Sequence, residues 1–385
     1  MDAVQAPVVP IVGDLIRQVP GTISLGQGVV HYGPPSEATE AVRLALVPGA
    51  WPGVHEYQPG TGLPELIDAI TRKLLAENGI DVGRGSRVAV TAGANMAFIH
   101  AVLATTEPGD EVILPVPFYF NHEMAVDMAG CRVVKVPTDD RYQPRIDAIR
   151  RAITGRTRLI VTVSPNNPSG AVFSGEVLRD INALCGEHGI YHASDEAYEY
   201  FTYGRARHVS PGSFAGAAPH TISMYSLSKA YGFAGWRIGY MVYPERLAAA
   251  VAKSQDTILI CPPVASQVAA LAALRVGRAH CEPHVRELAR IRDIVVEQLS
   301  ALAPLAEVPA ADGALYCMLK VRTRLDPMTL TERLIREHRV AVIPGPAFGL
   351  TDGCSFRVAF GALQRDTVEE GIGRLVAGIR TIVGL

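Results

Sequence analysis

Short apolar runs alternate with amphipathic segments along most of the chain, which has 385 residues. The β-type runs are centred near residues 88, 112, 134, 160, 191, 222 and 239. Helical patterns separate several of them, as at 97–105, 146–153 and 175–188. Regular alternation of strands and helices is typical of a parallel sheet that is covered on both faces. We therefore predict an α/β fold with a seven-stranded, mainly parallel sheet between helices.

The last third of the chain has a different pattern. Residues 245–303 are predicted to be helical and to end with a long helix from about 283 to 302. Shorter strands are predicted at 313–320 and 354–360, which indicates a smaller α+β domain. The predicted units are an N-terminal arm with part of the small domain, a large domain, and a C-terminal small domain, at 1–45, 46–280 and 281–385.

Composition excludes several classes of protein. The hydrophobic fraction of 48% can fill a large core, and the net charge of −2 gives no indication of binding to nucleic acid or to an anionic membrane. No apolar run is long enough to span a bilayer, and no signal peptide is evident. The six cysteines are scattered, without a metal-binding or disulfide spacing. We expect reduced thiols, no metal site and a cytoplasmic location.

One lysine lies in a segment unlike a solvated charged face. Lys229 has apolar, aromatic or small neighbours, and a desolvated lysine loses its proton more easily and attacks carbonyl groups. Ser226, Ser228 and Arg237 lie close to it in sequence and offer hydroxyls and a guanidinium to a phosphate. A reactive amine beside a phosphate site indicates a cofactor with both an aldehyde and a phosphate. Pyridoxal 5′-phosphate (PLP) has both groups.

Polar side chains also follow the ends of predicted strands. Asp195 closes a mostly apolar strand, where a carboxylate is costly unless it is paired, and the adjacent Glu196 is the alternative. Asn167 follows another strand in a proline-flanked turn, and Lys229 follows a third. Because ligands of such sheets bind outside the strand ends, we expect these side chains to face a ligand.

Two further features indicate anion binding. Residues 92–96 form a small-residue turn at the start of a predicted helix, where backbone N–H groups bind phosphate. Arg357 is the single arginine of an apolar strand. An inward-facing arginine requires an anion, and its fork suits a carboxylate. An internal salt bridge with an Asp or Glu is the alternative interpretation.

Four motifs together resemble one known family. Residues 226–240, Ser-Leu-Ser-Lys-x-Tyr-Gly-x-x-Gly-Trp-Arg-Ile-Gly-Tyr, resemble the Schiff-base motif of the class I/II aminotransferases, which are fold type I PLP enzymes. Asn-Pro-Ser-Gly at 167–170, Asp-x-Ala-Tyr at 195–198 and Pro-Gly-x-x-Phe-Gly at 344–349 are similar to further motifs of that family. The resemblance covers nearly the whole chain. It implies a PLP-dependent aminotransferase that moves the amino group of an L-amino acid to a 2-oxo acid.

The resemblance also implies roles for individual residues. Lys229 would form an aldimine with PLP and move the substrate proton, and Asp195 would pair with the ring nitrogen. Tyr119 would stack on the ring, with Phe118 as the competing candidate. The other implied cofactor contacts are Gly93, Ala94, Asn95, Asn167, Tyr198, Ser226, Ser228, Arg237 and, across a homodimer interface, Tyr57. The implied substrate contacts are Gly28, Asn167 and Arg357, and the further catalytic candidates are Tyr198 and His31.

Local similarity gives the only indication of substrate. Residues 26–31, 91–98, 119–122 and 199–203 are similar to aminotransferases for methionine and aromatic amino acids, and no second arginine is obviously placed for a dicarboxylate. The first alternative is a PLP- and O₂-dependent L-arginine oxidase or hydroxylase, in which a histidine placed like His31 is functional. The others are a carbon–sulfur lyase and a regulatory module, although the latter would need an added DNA-binding domain.

Overall fold

The computed structural model describes residues 4, 8–83 and 85–384. The α-helices are α1 Val8–Gln18, α2 Ser36–Ala45, α3 Pro64–Lys73, α4 Gly93–Thr105, α5 Phe120–Met128, α6 Ile146–Ala152, α7 Gly175–His188, α8 Ala248–Leu259, α9 Val264–Val276, α10 Arg278–Ser300, α11 Pro327–His338 and α12 Arg365–Val383. The strands are β1 Ile23–Ser24, β2 Ser86–Thr91, β3 Glu111–Val116, β4 Arg132–Pro137, β5 Thr157–Val163, β6 Tyr191–Asp195, β7 Thr221–Ser226, β8 Gly239–Pro244, β9 Ala306–Glu307, β10 Tyr316–Val321, β11 Val340–Ala341, β12 Ile343–Pro344 and β13 Cys354–Ala359. Short 3₁₀-helical turns occur at Pro52–His55, Pro211–Ser213, Ala234–Trp236, Glu245–Leu247 and Gly345–Phe348. A π-helical turn at Leu74–Asn78 follows α3.

A seven-stranded sheet with the order β2-β8-β7-β6-β5-β3-β4 forms the centre of the larger part of the molecule. Strand β8 runs antiparallel to both of its neighbours, and the other neighbouring pairs are parallel. The prediction of an α/β fold with a seven-stranded, mainly parallel sheet is therefore confirmed. The apolar runs form strands here because a sheet covered by helices buries side chains on both faces.

Successive side chains of the sheet pack into different layers, as the two-residue period of a strand requires. Val112 and Leu114 belong to a cluster that includes Phe98 of α4. Ile113 lies in another cluster, with Ile149 of α6. Burial of one such side chain contributes about 1.5–3 kcal/mol, so helices on both faces hold the strands, and with them the strand ends, in place.

The C-terminal part of the chain contains a four-stranded sheet with the order β12-β13-β10-β9. Strand β1 pairs in parallel with β11, so a segment near the N-terminus packs with the C-terminal part. Helix α10 begins at Arg278, earlier than predicted, because the buried Cys281 packs into the core while Pro283 lies inside the helix. The domain limits at 45 and 280 stay a prediction.

Some apolar side chains remain exposed. Tyr57 is 79% exposed, and Ile258 and Ile260 lie exposed at the C-terminal end of α8. Among the helices of residues 8–83 and 85–384, none combines the length and the apolar composition that crossing a membrane requires.

Candidate active site

The carboxyl ends of β5, β6 and β7 meet beside a cavity of about 350 Å³. Parallel strands end at the same edge of a sheet, so residues that follow different strands converge there. The predicted site residues that line this cavity are Gly28, Ala94, Asn95, Tyr119, Asn167, Asp195, Tyr198, Ser226, Ser228, Lys229, Arg237 and Arg357.

Three predicted site residues lie outside the cavity lining. Gly93 begins α4 with a φ of +79°, and a Cβ there would lie 2.4 Å from the Arg237 guanidinium, so close packing requires glycine. Tyr57 is exposed and is not part of this chain's cavity lining. His31 places its Nδ1 3.3 Å from the Gly361 carbonyl oxygen, and its catalytic role stays a prediction.

Lys229 lies between the end of β7 and the start of β8. Its amine donates a hydrogen bond to the Gly28 carbonyl. Desolvation lowers the pKa of Lys229 to about 8, helped by the positive charges of Arg357 and Arg237 and opposed by the carboxylate of Asp195. About a tenth of the amine is therefore neutral, and nucleophilic, at pH 7, far more than for a solvent-exposed lysine.

Arg237 forms part of a site suited to an anion. It precedes β8, which begins at Gly239, because its own backbone has the left-handed φ of +51° and does not continue as a strand. The guanidinium donates to the Ala234 carbonyl oxygen at 2.9 Å, and no acidic side chain pairs with it within the described part of the chain. Ser226 and the N-terminal residues of α4 line the same cavity, so hydroxyl and N–H donors lie beside an unpaired cation.

Arg357 is 2% exposed, on strand β13. One guanidinium nitrogen donates to Asn167 Oδ1 at 2.9 Å and another to the Gly26 carbonyl oxygen at 2.8 Å, while Nε has no partner. The rings of Tyr316 and Phe348 lie 4.6 and 4.9 Å from the guanidinium carbon. Among the described residues no Asp or Glu forms the alternative internal salt bridge, so this buried charge lacks a counterion within the chain.

The two adjacent acids at the end of β6 point in different directions. Asp195 lines the cavity, accepts a hydrogen bond from the Ala197 N–H at 3.0 Å, and lies 3.3 Å from His122 Nε2. Glu196 is fully buried elsewhere, 2.9 Å from His208 Nε2. The carboxylate available to a ligand in the cavity is therefore that of Asp195.

Of the neighbouring aromatic residues Phe118 and Tyr119, only Tyr119 lines the cavity. Tyr119 lines the cavity, and burial raises its pKa to about 12, so its hydroxyl stays protonated. Phe118 is 2% exposed and packs tightly against Gly349, where an added Cβ would lie 2.5 Å from the ring. Tyr119, and not Phe118, is thus the ring that a ligand in the cavity can contact.

Sequence reasoning missed His122 and Tyr316, as well as the apolar lining residues Val9, Val29 and Phe120. His122 lies three residues after Tyr119, which immediately precedes α5, and that spacing is the signal that brings the two side chains to one side of the first helical turn. The Tyr316 hydroxyl lies 2.8 Å from the Tyr198 hydroxyl. The Tyr198 hydroxyl also accepts a hydrogen bond from Asn167 Nδ2 at 3.4 Å. Tyr316 shares a sheet face with Arg357 because β10 pairs with β13, and the sequence does not reveal that register.

The residues of the cavity fit PLP. Arg237, Ser226 and the start of α4 suit a phosphate, and Lys229 supplies an amine that an aldehyde can engage. Asp195 provides a carboxylate for a protonated ring nitrogen. Arg357 remains free for a further anion.

Comparison with known proteins gives one consistent result. The family model described as aminotransferase class I and II matches residues 20–375. An aromatic aminotransferase of Arabidopsis thaliana is 35% identical over 387 residues, covering 98% of this chain and 94% of the relative. An aspartate/prephenate aminotransferase of Thermus thermophilus is 35% identical, covering 96% of this chain and 93% of the relative. The crystal structure of an aromatic aminotransferase from Pyrococcus horikoshii has a TM-score of 0.87 at 33% identity, covering 95% of this chain and 98% of that one.

Proposed function

Because the chain belongs to the class I and II aminotransferases and is a PLP-dependent amino acid aminotransferase, we propose that it prefers methionine-like and aromatic L-amino acids as donors. One observation carries the proposal: a buried, unpaired Arg357 shares the cavity with the apolar side chains of Val9, Val29 and Phe120. The guanidinium suits one carboxylate, and the apolar wall suits an uncharged side chain.

The charges of the cavity support this preference. Among the described lining residues the cationic side chains are Lys229, Arg237 and Arg357. Lys229 and Arg237 are assigned to PLP, which leaves one arginine for the substrate. The second carboxylate of a dicarboxylic donor would lack a guanidinium from this chain and would lie against apolar groups, where an unpaired charge is costly. The names of the relatives give no support to an arginine oxidase.

The polar groups of the cavity would hold the cofactor by its ends. Bound PLP supplies an aldehyde that condenses with amines and a cationic ring that accepts electrons from the α-carbon. Asp195 would keep the ring nitrogen protonated, and His122 would orient that carboxylate. Arg237, Ser226 and Ser228 would bind the phosphate, Tyr119 would cover the ring, and Asn167 and Tyr198 would donate to its oxygen.

Lys229 would then move the proton. The pKa of about 8 makes its Nζ a base that can accept the α-proton and return it to a neighbouring carbon. Arg357 and Asn167, which are joined by a hydrogen bond of 2.9 Å, would grip the α-carboxylate and fix the direction of the breaking C–H bond.

The test is a donor screen of the purified, PLP-loaded protein. Methionine, phenylalanine, tyrosine, aspartate and arginine are each supplied with one 2-oxo acid, and amino-group transfer is measured together with oxygen uptake. We expect the first three to exceed aspartate in kcat/KM, without oxygen uptake. A preference for aspartate would overturn the substrate proposal. Oxygen uptake that occurs with arginine and with none of the other amino acids would overturn the assignment of amino-group transfer.

We also propose a cytoplasmic homodimer. The exposed Tyr57, together with Ile258 and Ile260, offers apolar surface that a second copy would cover, and Tyr57 would then reach the partner's phosphate site. Light scattering measures the mass. If the protein is a dimer, Tyr57→Phe is expected to weaken PLP affinity while the mass stays dimeric.

A further inference from the structure

Tyr32 contacts the backbone of the residue whose side chain is assigned to catalysis. Its hydroxyl donates to the Lys229 carbonyl oxygen at 3.1 Å and lies 3.4 Å from the Ala230 carbonyl oxygen. Burial raises the pKa of Tyr32 far above its usual value, so the hydroxyl remains a donor across the working pH range. The bond therefore does not depend on pH.

The ring of Tyr32 is itself held from another part of the fold. It stacks on His284 of α10 at 3.7 Å between ring centroids and an interplanar angle of 6°. His31 and His280 approach it edge-on, at 5.6 and 6.2 Å. The hydroxyl is thus aimed at Lys229 by a ring that neighbouring rings fix, so little side-chain freedom is lost when the hydrogen bond forms.

Backbone packing fixes the same contact. Gly232 follows Lys229 in its turn and has a φ of +72°. A Cβ on Gly232 would lie 2.7 Å from the Tyr32 carbonyl oxygen and 2.6 Å from the Gly33 carbonyl carbon. The segment that carries Tyr32 is therefore seated directly on the turn that carries Lys229.

The two ends of the lysine contact one short segment of the chain. The Nζ donates to the Gly28 carbonyl, and the backbone carbonyl accepts from Tyr32. During the reaction the amine has to leave the carbon to which it is bonded, accept the α-proton and return it to a neighbouring carbon. Afterwards it has to bond to the first carbon again. The backbone from which it swings determines where Nζ comes to rest, so a rigid carbonyl anchor shortens the search for the reactive geometry.

We propose that Tyr32 is a positioning residue for Lys229, acting through the backbone carbonyl rather than on the substrate. This inference rests on the proposed function of Lys229 as the base that moves the α-proton. The hydroxyl, not the ring alone, carries the effect, and the stacking on His284 transmits the position of α10 to the lysine turn.

The decisive variant is Tyr32→Phe, which keeps the stacked ring and removes only the donor. We expect kcat to fall about fivefold, the value of one neutral hydrogen bond, with less than a twofold change in KM. The pH midpoint of the visible absorbance of the PLP-loaded protein should shift as well, since the environment of the Lys229 nitrogen changes. That absorbance titration does not depend on turnover.

Tyr142→Phe is the control, because Tyr142 is buried and its hydroxyl has no partner in the described part of the chain. It should leave kcat and the absorbance midpoint unchanged. His284→Ala keeps the Tyr32 hydroxyl but removes the ring on which Tyr32 stacks. It should lower kcat as well, but by less than Tyr32→Phe does.

The outcomes separate this inference from the function on which it rests. If the wild type transaminates but Tyr32→Phe retains both its kcat within twofold and its absorbance midpoint, the positioning role is wrong. A loss of kcat that Tyr142→Phe reproduces would also overturn it, since any buried hydroxyl would then do the same. If the wild type transfers no amino group from any donor, the proposed function itself fails.

Discussion

Arg237 and Arg357 both line the cavity without an acidic partner among the described residues, but Arg357 is 2% exposed whereas Arg237 is exposed. Arg237 belongs to the connection between two paired strands, β7 and β8, that also holds Lys229. Arg357 is held by Asn167 and Gly26, which lie 190 and 331 residues away in the sequence. Arg237 and the serines beside it are therefore close in sequence, although the start of α4 completes that site, whereas the contacts of Arg357 exist only through long-range packing.

The difference bears on how each site binds. Water cannot solvate a buried charge, so the Arg357 guanidinium favours a bound anion strongly and tolerates little change in the position of that anion. An exposed charge is screened, so Arg237 depends on the hydroxyls and N–H donors beside it. We expect the substrate carboxylate to rely on one charge, that of Arg357 with Asn167 beside it, and the phosphate to rely on several donors.

The largest effect is expected from Arg357→Leu. Truncating one partner of a buried charge pair typically costs about 2–5 kcal/mol, so kcat/KM for amino donors should fall by about 30-fold to a few thousand-fold. PLP affinity, measured by absorbance titration, should change little. Arg357→Lys, which keeps the charge but loses the fork, should recover only part of the activity. A loss of PLP affinity as large as the loss of kcat/KM would contradict the assignment.

A smaller effect is expected from Arg237→Leu. The Kd for PLP should rise about tenfold, the equivalent of one charge-assisted hydrogen bond, and saturating PLP should restore most of kcat. Arg290→Leu removes an exposed arginine of α10 that pairs with Glu287, and it serves as the control without effect on PLP. If added PLP failed to restore kcat, Arg237 would have a role beyond phosphate binding.

The smallest effect concerns the pKa of Lys229. Capture of PLP by cofactor-free protein needs the neutral amine, so its rate should rise with pH and level off above about 8. Both arginines lower this pKa by repelling the ammonium, Arg357 more than Arg237, so either leucine variant should move the midpoint to higher pH, Arg357→Leu further. Stopped-flow absorbance measures the rate. A midpoint that moves to lower pH would show that the charges do not act in this way.

Neighbouring pairs of residues show where sequence reasoning stops. Alternation along a strand states that only one of Asp195 and Glu196 faces the cavity, but not which one. The structure places Glu196 against His208 and leaves Asp195 beside His122. A single residue of register decides the outcome, and register depends on packing against the rest of the molecule.

The sequence by itself determined the alternation of strands and helices, the Lys229 turn with its serines and arginine, and the polar residues at the strand ends. These features are local, because period, turn chemistry and charge in an apolar run are read over a few residues. Only the tertiary structure decided that Tyr316 meets Tyr198, that Arg357 lacks a counterion within the described chain, and that Tyr32 holds the backbone of Lys229. The contacts of Tyr316 with Tyr198, of Arg357 with Asn167 and of Tyr32 with Lys229 each join residues more than 100 positions apart in the sequence. At such separations strand register and helix packing, and not the local pattern, place the atoms.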